Sequence, residues 1–77
     1  MLVIKRDGSE VEFDAWKIIR AIRKANKEVE VDERITHEDT ARITMCVDMQ
    51  RKPYITVEEI QDIVIHKLME YGYYELA

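Results

Sequence analysis

Cysteine occurs once in these 77 residues, which excludes an internal disulfide and any zinc site built from several thiolates. Cys46 has no adjacent histidine or basic residue to hold it as a thiolate, so it reads as a small apolar residue, and a lone thiol fits a reducing cytoplasm. Glycine occurs twice and no GxxxxGK[ST] stretch is present, which excludes a P-loop. No apolar run approaches the roughly 20 residues that a bilayer span needs, and the opening Met-Leu-Val-Ile-Lys lacks the apolar stretch of a signal peptide. A membrane is therefore not an expected partner. His37 and His66 read as solvent-facing helix residues and not as metal ligands. No Ser/His/Asp or Cys/His constellation stands out. A chain this short buries only about 60–65% of its extended surface on folding, which leaves no depth for a catalytic cleft. Catalysis is not expected within these residues.

What is present is a hydrophobic fraction of 47% with a single proline, the composition of one compact and mostly helical domain. The net charge of −4 is divided unevenly. Residues 1–27 hold seven Lys/Arg against four Asp/Glu, net +3, and residues 28–77 hold five against twelve, net −7. The acidic two-thirds would repel a long phosphate backbone, so nucleic acid is not an expected direct partner. A small anion at the basic third is the better match.

That third opens on Lys5-Arg6-Asp7-Gly8. Asp-Gly between alternating apolar residues predicts a hairpin with a two-residue type I′ turn. Such a turn pairs Lys5 with Glu10, Ile4 with Val11, Val3 with Glu12 and Leu2 with Phe13, which puts Leu2, Ile4, Val11 and Phe13 on one face and Lys5 on the other. An isolated hairpin is marginal in water, so this one is expected to lie as a lid on an apolar body. Taken alone, Lys5 and Arg6 fit a cross-strand ion pair with a solvated arginine as well as an anion site.

Asp14 predicts an N-cap for a first helix running to about Lys27, with Ile18, Ala21, Ile22 and Ala25 as its apolar stripe. Arg20, Arg23, Lys24 and Lys27 read as a solvated basic face that suits the helix C-terminus. Lys17 differs, because it lies in the first turn, where exposed amides already favour an anion and the dipole does not recruit a cation. Residues 28–35 read as a connection. Thr36 with Asp39 resembles a capping box that opens a second helix to about Gln50, with Ala41, Met45 or Cys46, Val47 and Met49 facing inward. Tyr54-Ile55 reads as a short extended stretch that adds a third strand beside the hairpin. Thr56 with Glu59 forms a stronger capping box for a third helix, in which Ile60, Ile63, Val64, Lys67 and Leu68 follow helical spacing and Val57 and Gln61 line an adjacent edge. Gly72 is the expected C-terminal cap. Tyr73-Tyr74-Glu75-Leu76-Ala77 reads as the first turn of another helix, so residues 1–77 are expected to be one domain cut before its last helix ends.

The run Val3-Ile4-Lys5-Arg6-Asp7-Gly8, with Phe13-Asp14, Lys17-Ile18, Ala21-Ile22, Ile55-Thr56-Val57-Glu58-Glu59-Ile60-Gln61 and Leu68-Met69-Glu70-Tyr71-Gly72-Tyr73, resembles the ATP-cone family. The family is the N-terminal allosteric regulatory domain of many ribonucleotide reductases and also occurs in a zinc-ribbon repressor of their genes. A repressor would need a Cys-rich ribbon ahead of the cone, and Met1 stands directly before the first strand, so a reductase is the expected context. The resemblance implies an α+β fold, a small helical bundle capped by an N-terminal hairpin or three-stranded sheet. It implies ATP or dATP as the allosteric ligand, with Mg2+ able to accompany the nucleotide. It also implies a parent enzyme of deoxyribonucleotide synthesis that is switched through subunit assembly. The implied partners are the adenine nucleotide, the remainder of the reductase catalytic subunit, and a second copy where assembly runs through self-association.

Carried over by position, the resemblance makes Lys5, Arg6 and Lys17 phosphate contacts, and Val3, Ile18 and Ile60 the apolar lining around the adenine. Asp14 falls where the base's polar edge is read, and Val57 and Gln61 fall near the sugar and phosphates. Where several reductase cones carry a base-reading carboxylate this chain has Val11, between Glu10 and Glu12, and the family's last basic contact falls beyond Ala77. The alternative reading is a degenerate cone, a helical interaction or oligomerisation module that keeps the fold without binding nucleotide.

Overall fold

The hairpin forms, but one residue out of the expected register. In the computed structural model, which describes residues 1–77, strands β1 (Leu2–Ile4) and β2 (Glu10–Glu12) run antiparallel with Leu2 opposite Glu12, Val3 opposite Val11 and Ile4 opposite Glu10. The turn holds three residues instead of two. Lys5 N–H donates to the Ser9 carbonyl at 2.8 Å and Gly8 N–H donates to the Lys5 carbonyl at 2.9 Å. Only Gly8 takes a positive φ, +86°, as the third residue of a three-residue hairpin loop requires. Asp7 stays at negative φ because its carboxylate accepts both the Ser9 N–H, at 2.9 Å, and the Ser9 hydroxyl, at 2.7 Å. That local bonding decides the turn type, and the side-chain period of two converts a slip of one residue into a change of face. Val3 and Lys5 therefore share the inner face with Val11 and Phe13, while Leu2 and Ile4 lie on the other. The expected placement of Lys5 outward beside Glu10 is corrected accordingly.

Strand β3 (Tyr54–Thr56) joins β1 in parallel, with Val3 opposite Ile55, and gives a sheet in the order β2-β1-β3. Val3 and Ile55 are both buried, which fixes the central strand to the core.

Helix α1 (Ala15–Asn26) starts where Asp14 accepts the Trp16 N–H at 3.0 Å. It buries Ile18 and Ile22, while Ala25 is half-buried and Ala21 is left open. The connection is pinned by Asn26, whose side-chain oxygen accepts the Ile35 N–H at 2.9 Å and whose amide donates to the Ile35 carbonyl at 3.3 Å, seating Ile35 in the core. Helix α2 (His37–Asp48) is capped by Thr36, but its inner face is Thr40, Ile43, Thr44 and Val47. Ala41, Met45 and Met49, expected inside, are exposed, and Cys46 is half-buried. The threonines can be buried because each hydroxyl bonds back to its own helix, Thr40 to the Thr36 carbonyl at 2.9 Å and Thr44 to the Thr40 carbonyl at 2.8 Å. No buried side-chain polar atom is left without a partner.

Helix α3 (Val57–Glu70) opens with the full Thr56/Glu59 capping box. It closes with Gly72 at φ +88°, where Tyr73 N–H reaches the Leu68 carbonyl at 2.8 Å and Gly72 N–H reaches the Met69 carbonyl at 3.1 Å, a Schellman motif. The last residues make one hydrogen-bonded turn on the Tyr73 carbonyl. Helix α2 packs against both α1 and α3, and the core of Val3, Ile18, Ile22, Ile35, Ile43, Val47, Ile55 and Leu68 lies between the helices and the sheet. The architecture is the α+β bundle capped by a three-stranded sheet that the sequence predicts.

Candidate functional site

The inner face of the hairpin does not close fully on the helices. Beneath it, with walls from α1 and α3, lies a cavity of about 450 Å³. Local structure supplies each wall. Asp14 ends the extended chain, so Lys17 and Ile18 fall in the first turns of α1 and point the same way as Ala21 and Ile22, one turn further on. The capping box starts α3 at Val57, which puts Ile60 and Gln61 in the wall, followed by Val64 and Ile65. Val3, Lys5, Val11 and Phe13 come down from the sheet, with Glu12 and Asp14 at its edge. Most of this lining is apolar, and its polar members are Lys5 from the hairpin, Glu12, Asp14 and Lys17 before and within the first turn of α1, and Gln61 on α3.

A second, more open hollow of about 480 Å³ adjoins the first and shares Lys5, Val57 and Gln61 with it, adding Arg6 and Asp7. The sequence-predicted residues Val3, Lys5, Asp14, Lys17, Ile18, Val57, Ile60 and Gln61 all border the apolar cavity, and Arg6 stands at the adjoining hollow. The register correction is what turns Lys5 to the face that lines the cavity, where Lys17 also stands in the lining.

The cations differ in how they are held. Arg6 Nε donates to Glu58 Oε1 at 3.0 Å and its Nη2 donates to the Gln61 side-chain oxygen at 3.3 Å. Lys5 and Lys17 stand in no ion pair. Asp14 is 3.9 Å from Arg20, a loose contact in an exposed setting. The Asp7 carboxyl is held below its ordinary value first by the Ser9 hydroxyl and then by the Ser9 N–H, with Lys5 adding to the effect, so the turn is anionic at its tip. No group of three or more His, Cys, Asp or Glu comes together in a metal-holding arrangement. A few cations and hydrogen-bonding groups at the rim of an apolar slot can receive a flat apolar ring carrying an anionic tail.

Sequence reasoning missed several members of this lining. Val11 and Phe13 were legible as apolar and turned to a lid face, but Ala21, Ile22 and Val64 read as core because a cavity wall and a core stripe share one helical period. Glu12 and Ile65 carried no signal in the sequence, nor did the pairing of Glu58, outside the lining, with Arg6.

The family described as ATP cone domain matches residues 1–77. The anaerobic ribonucleoside-triphosphate reductase of Haemophilus influenzae is 40% identical over 76 residues, covering 97% of this chain and 11% of that protein. The corresponding Escherichia coli reductase is 36% identical over 75 residues, covering 97% of this chain and 10% of that protein. The ribonucleoside-diphosphate reductase subunit alpha of Chlamydia pneumoniae is 34% identical over 84 residues, covering 97% and 8%. The chain thus spans about a tenth of the length of these relatives.

Proposed function

This chain belongs to the ATP-cone family, and from that premise we propose that it is an allosteric module that binds ATP or dATP and controls the overall activity of a ribonucleotide reductase through subunit assembly. The observation that carries the reading is the pairing of an apolar cavity of about 450 Å³ with Lys5 and Lys17, two cations without ion-pair partners, at its rim. In this reading Val3, Ile18 and Ile60 enclose the adenine and Asp14 meets the polar edge of the base. Lys5, Lys17 and Arg6 take the phosphates, with Val57 and Gln61 near the sugar and phosphates. Charge-assisted hydrogen bonds are about twice as strong as neutral ones, so a polyphosphate bridging the hairpin and α1 has leverage over the position of the lid. Mg2+ enters with the nucleotide, since it is commonly held by substrate phosphates and a few waters.

Regulation requires that ATP and dATP favour different states of a surface that contacts the rest of the enzyme, because a ligand with equal affinity for two states shifts neither. The partners in this reading are the remainder of the reductase subunit and further copies of it. Val11, half-buried in the lining where several reductase cones carry a base-reading carboxylate, favours the second reading, an interaction module without a ligand.

Thermal unfolding with and without nucleotide separates the two. A ligand at about 100 times its dissociation constant adds about 2.7 kcal/mol, which raises the midpoint of so small a domain by roughly 10 °C or more. That shift supports the sensor. An unchanged midpoint with millimolar ATP and dATP supports the ligand-free module.

A further inference from the structure

Arg6 alone among the three cations assigned to phosphate already has an anionic partner. Its Nε meets Glu58 and its Nη2 meets Gln61, and these donors lie on one edge of the guanidinium, an edge by which arginine can grip a carboxylate or phosphate bidentately. Glu58 lies in the first turn of α3 and Arg6 in the hairpin turn, 52 residues earlier, so the contact fastens the lid tip to α3.

We infer that Glu58 is an internal stand-in for a ligand phosphate. In the ligand-free chain its carboxylate occupies Arg6 and parks the hairpin tip on α3, and an arriving polyphosphate must displace it. The inference rests on the nucleotide reading above. Three observations give it direction. The Arg6 and Glu58 side chains are 69% and 55% exposed, so the pair is weak enough to be exchanged. Lys5 and Arg6 border one hollow and Glu58 meets Arg6 at 3.0 Å, so phosphates that reach Arg6 from that hollow meet the Glu58 carboxylate and repel it. Once released, Glu58 returns to water at a helix N-terminus, where a carboxylate is favoured, so its displacement strands no buried charge. Exchange at Arg6 gives the hairpin tip two states, tied to α3 without ligand and tied to the phosphates with it. Such a bistable contact is what an allosteric ligand needs to act on.

The test is calorimetric titration of ATP into the 77-residue chain, Glu58→Gln, Arg6→Ala and the double variant, with melting curves as the control on folding. Glu58→Gln is expected to bind ATP about two- to five-fold more tightly, the range set by an exposed ion pair, and to gain nothing when Arg6 is already alanine. ATP binding to the parent chain with no gain, or a loss, in Glu58→Gln overturns the exchange while leaving the nucleotide reading in place. An equal gain in the Arg6→Ala background overturns it as well, by placing the effect away from Arg6. No heat from the parent chain or from Glu58→Gln overturns the nucleotide reading and this inference with it.

Discussion

The Tyr73 hydroxyl donates to the Asp39 carboxylate at 2.5 Å across 34 residues of sequence, tying the segment after α3 to the first turn of α2. The Schellman turn at Gly72 aims Tyr73 there, and Asp39, freed from a reciprocal cap with Thr36, accepts both Tyr73 and Arg42. Tyr73→Phe keeps the ring and removes one charge-assisted bond. In this partly buried setting the expected loss is about 1 kcal/mol, a fall in midpoint of about 4–8 °C, read by thermal unfolding. The Asp39 hydrogen bond, with burial second, raises the Tyr73 hydroxyl above its ordinary value of 10.0. A group raised on folding contributes stability below its unfolded value and loses it as pH climbs through the folded one. The gap between Tyr73→Phe and the parent should therefore persist up to pH 10 and narrow only above it.

Gly8→Ala tests the three-residue turn. A Cβ at Gly8 meets no atom within 4 Å, so its cost is the left-handed backbone alone, φ +86°. About 1 kcal/mol of destabilisation is expected, with the fold retained. A chemical-denaturation series showing no loss would mean that the turn is not built on a left-handed residue.

Glu59 closes the α3 capping box and also meets Lys52 at 2.6 Å. The Lys52 hydrogen bond, then the Thr56 N–H, hold its carboxyl below the ordinary 4.5. A carboxyl lowered on folding contributes stability above its unfolded value and loses it as pH falls through the folded one. Glu59→Gln should therefore melt below the parent at pH 7, and the difference should close as pH drops below 4.5. A pH-independent difference would indicate that packing, and not the charge, is what the substitution removes.

How much of this molecule was legible in its sequence follows from the range of each interaction. Asp14, the Thr56/Glu59 box and Gly72 are governed by neighbours within a few residues, and all three stand where local rules put them. The hairpin register failed because Asp7 has two local options, a left-handed turn position or a side-chain bond to Ser9, and the bond won. The face of α2 failed for a related reason. Polarity ranks Met45 and Met49 above Thr40 and Thr44 for burial, yet a threonine whose hydroxyl bonds its own helix can be buried without an unsatisfied group. In the candidate site, charge placement pointed to Lys5, Arg6 and Lys17, while Val3, Asp14, Ile18, Val57, Ile60 and Gln61 came from the family resemblance. The lining by Ala21, Ile22, Val64 and Ile65 and the pairing of Glu58 with Arg6 depend on how α1, α3 and the lid meet, which no local pattern encodes.

The central claim, a polyphosphate gathered at Lys5 and Lys17 beneath the hairpin, is tested most directly by titrating ATP into the parent chain and Lys17→Glu in a calorimeter. Glutamate in the first turn of α1 suits the helix dipole, so the variant should fold and melt like the parent. The parent should give saturable heat and Lys17→Glu none. Undiminished binding by Lys17→Glu, or no heat from the parent, would contradict the account.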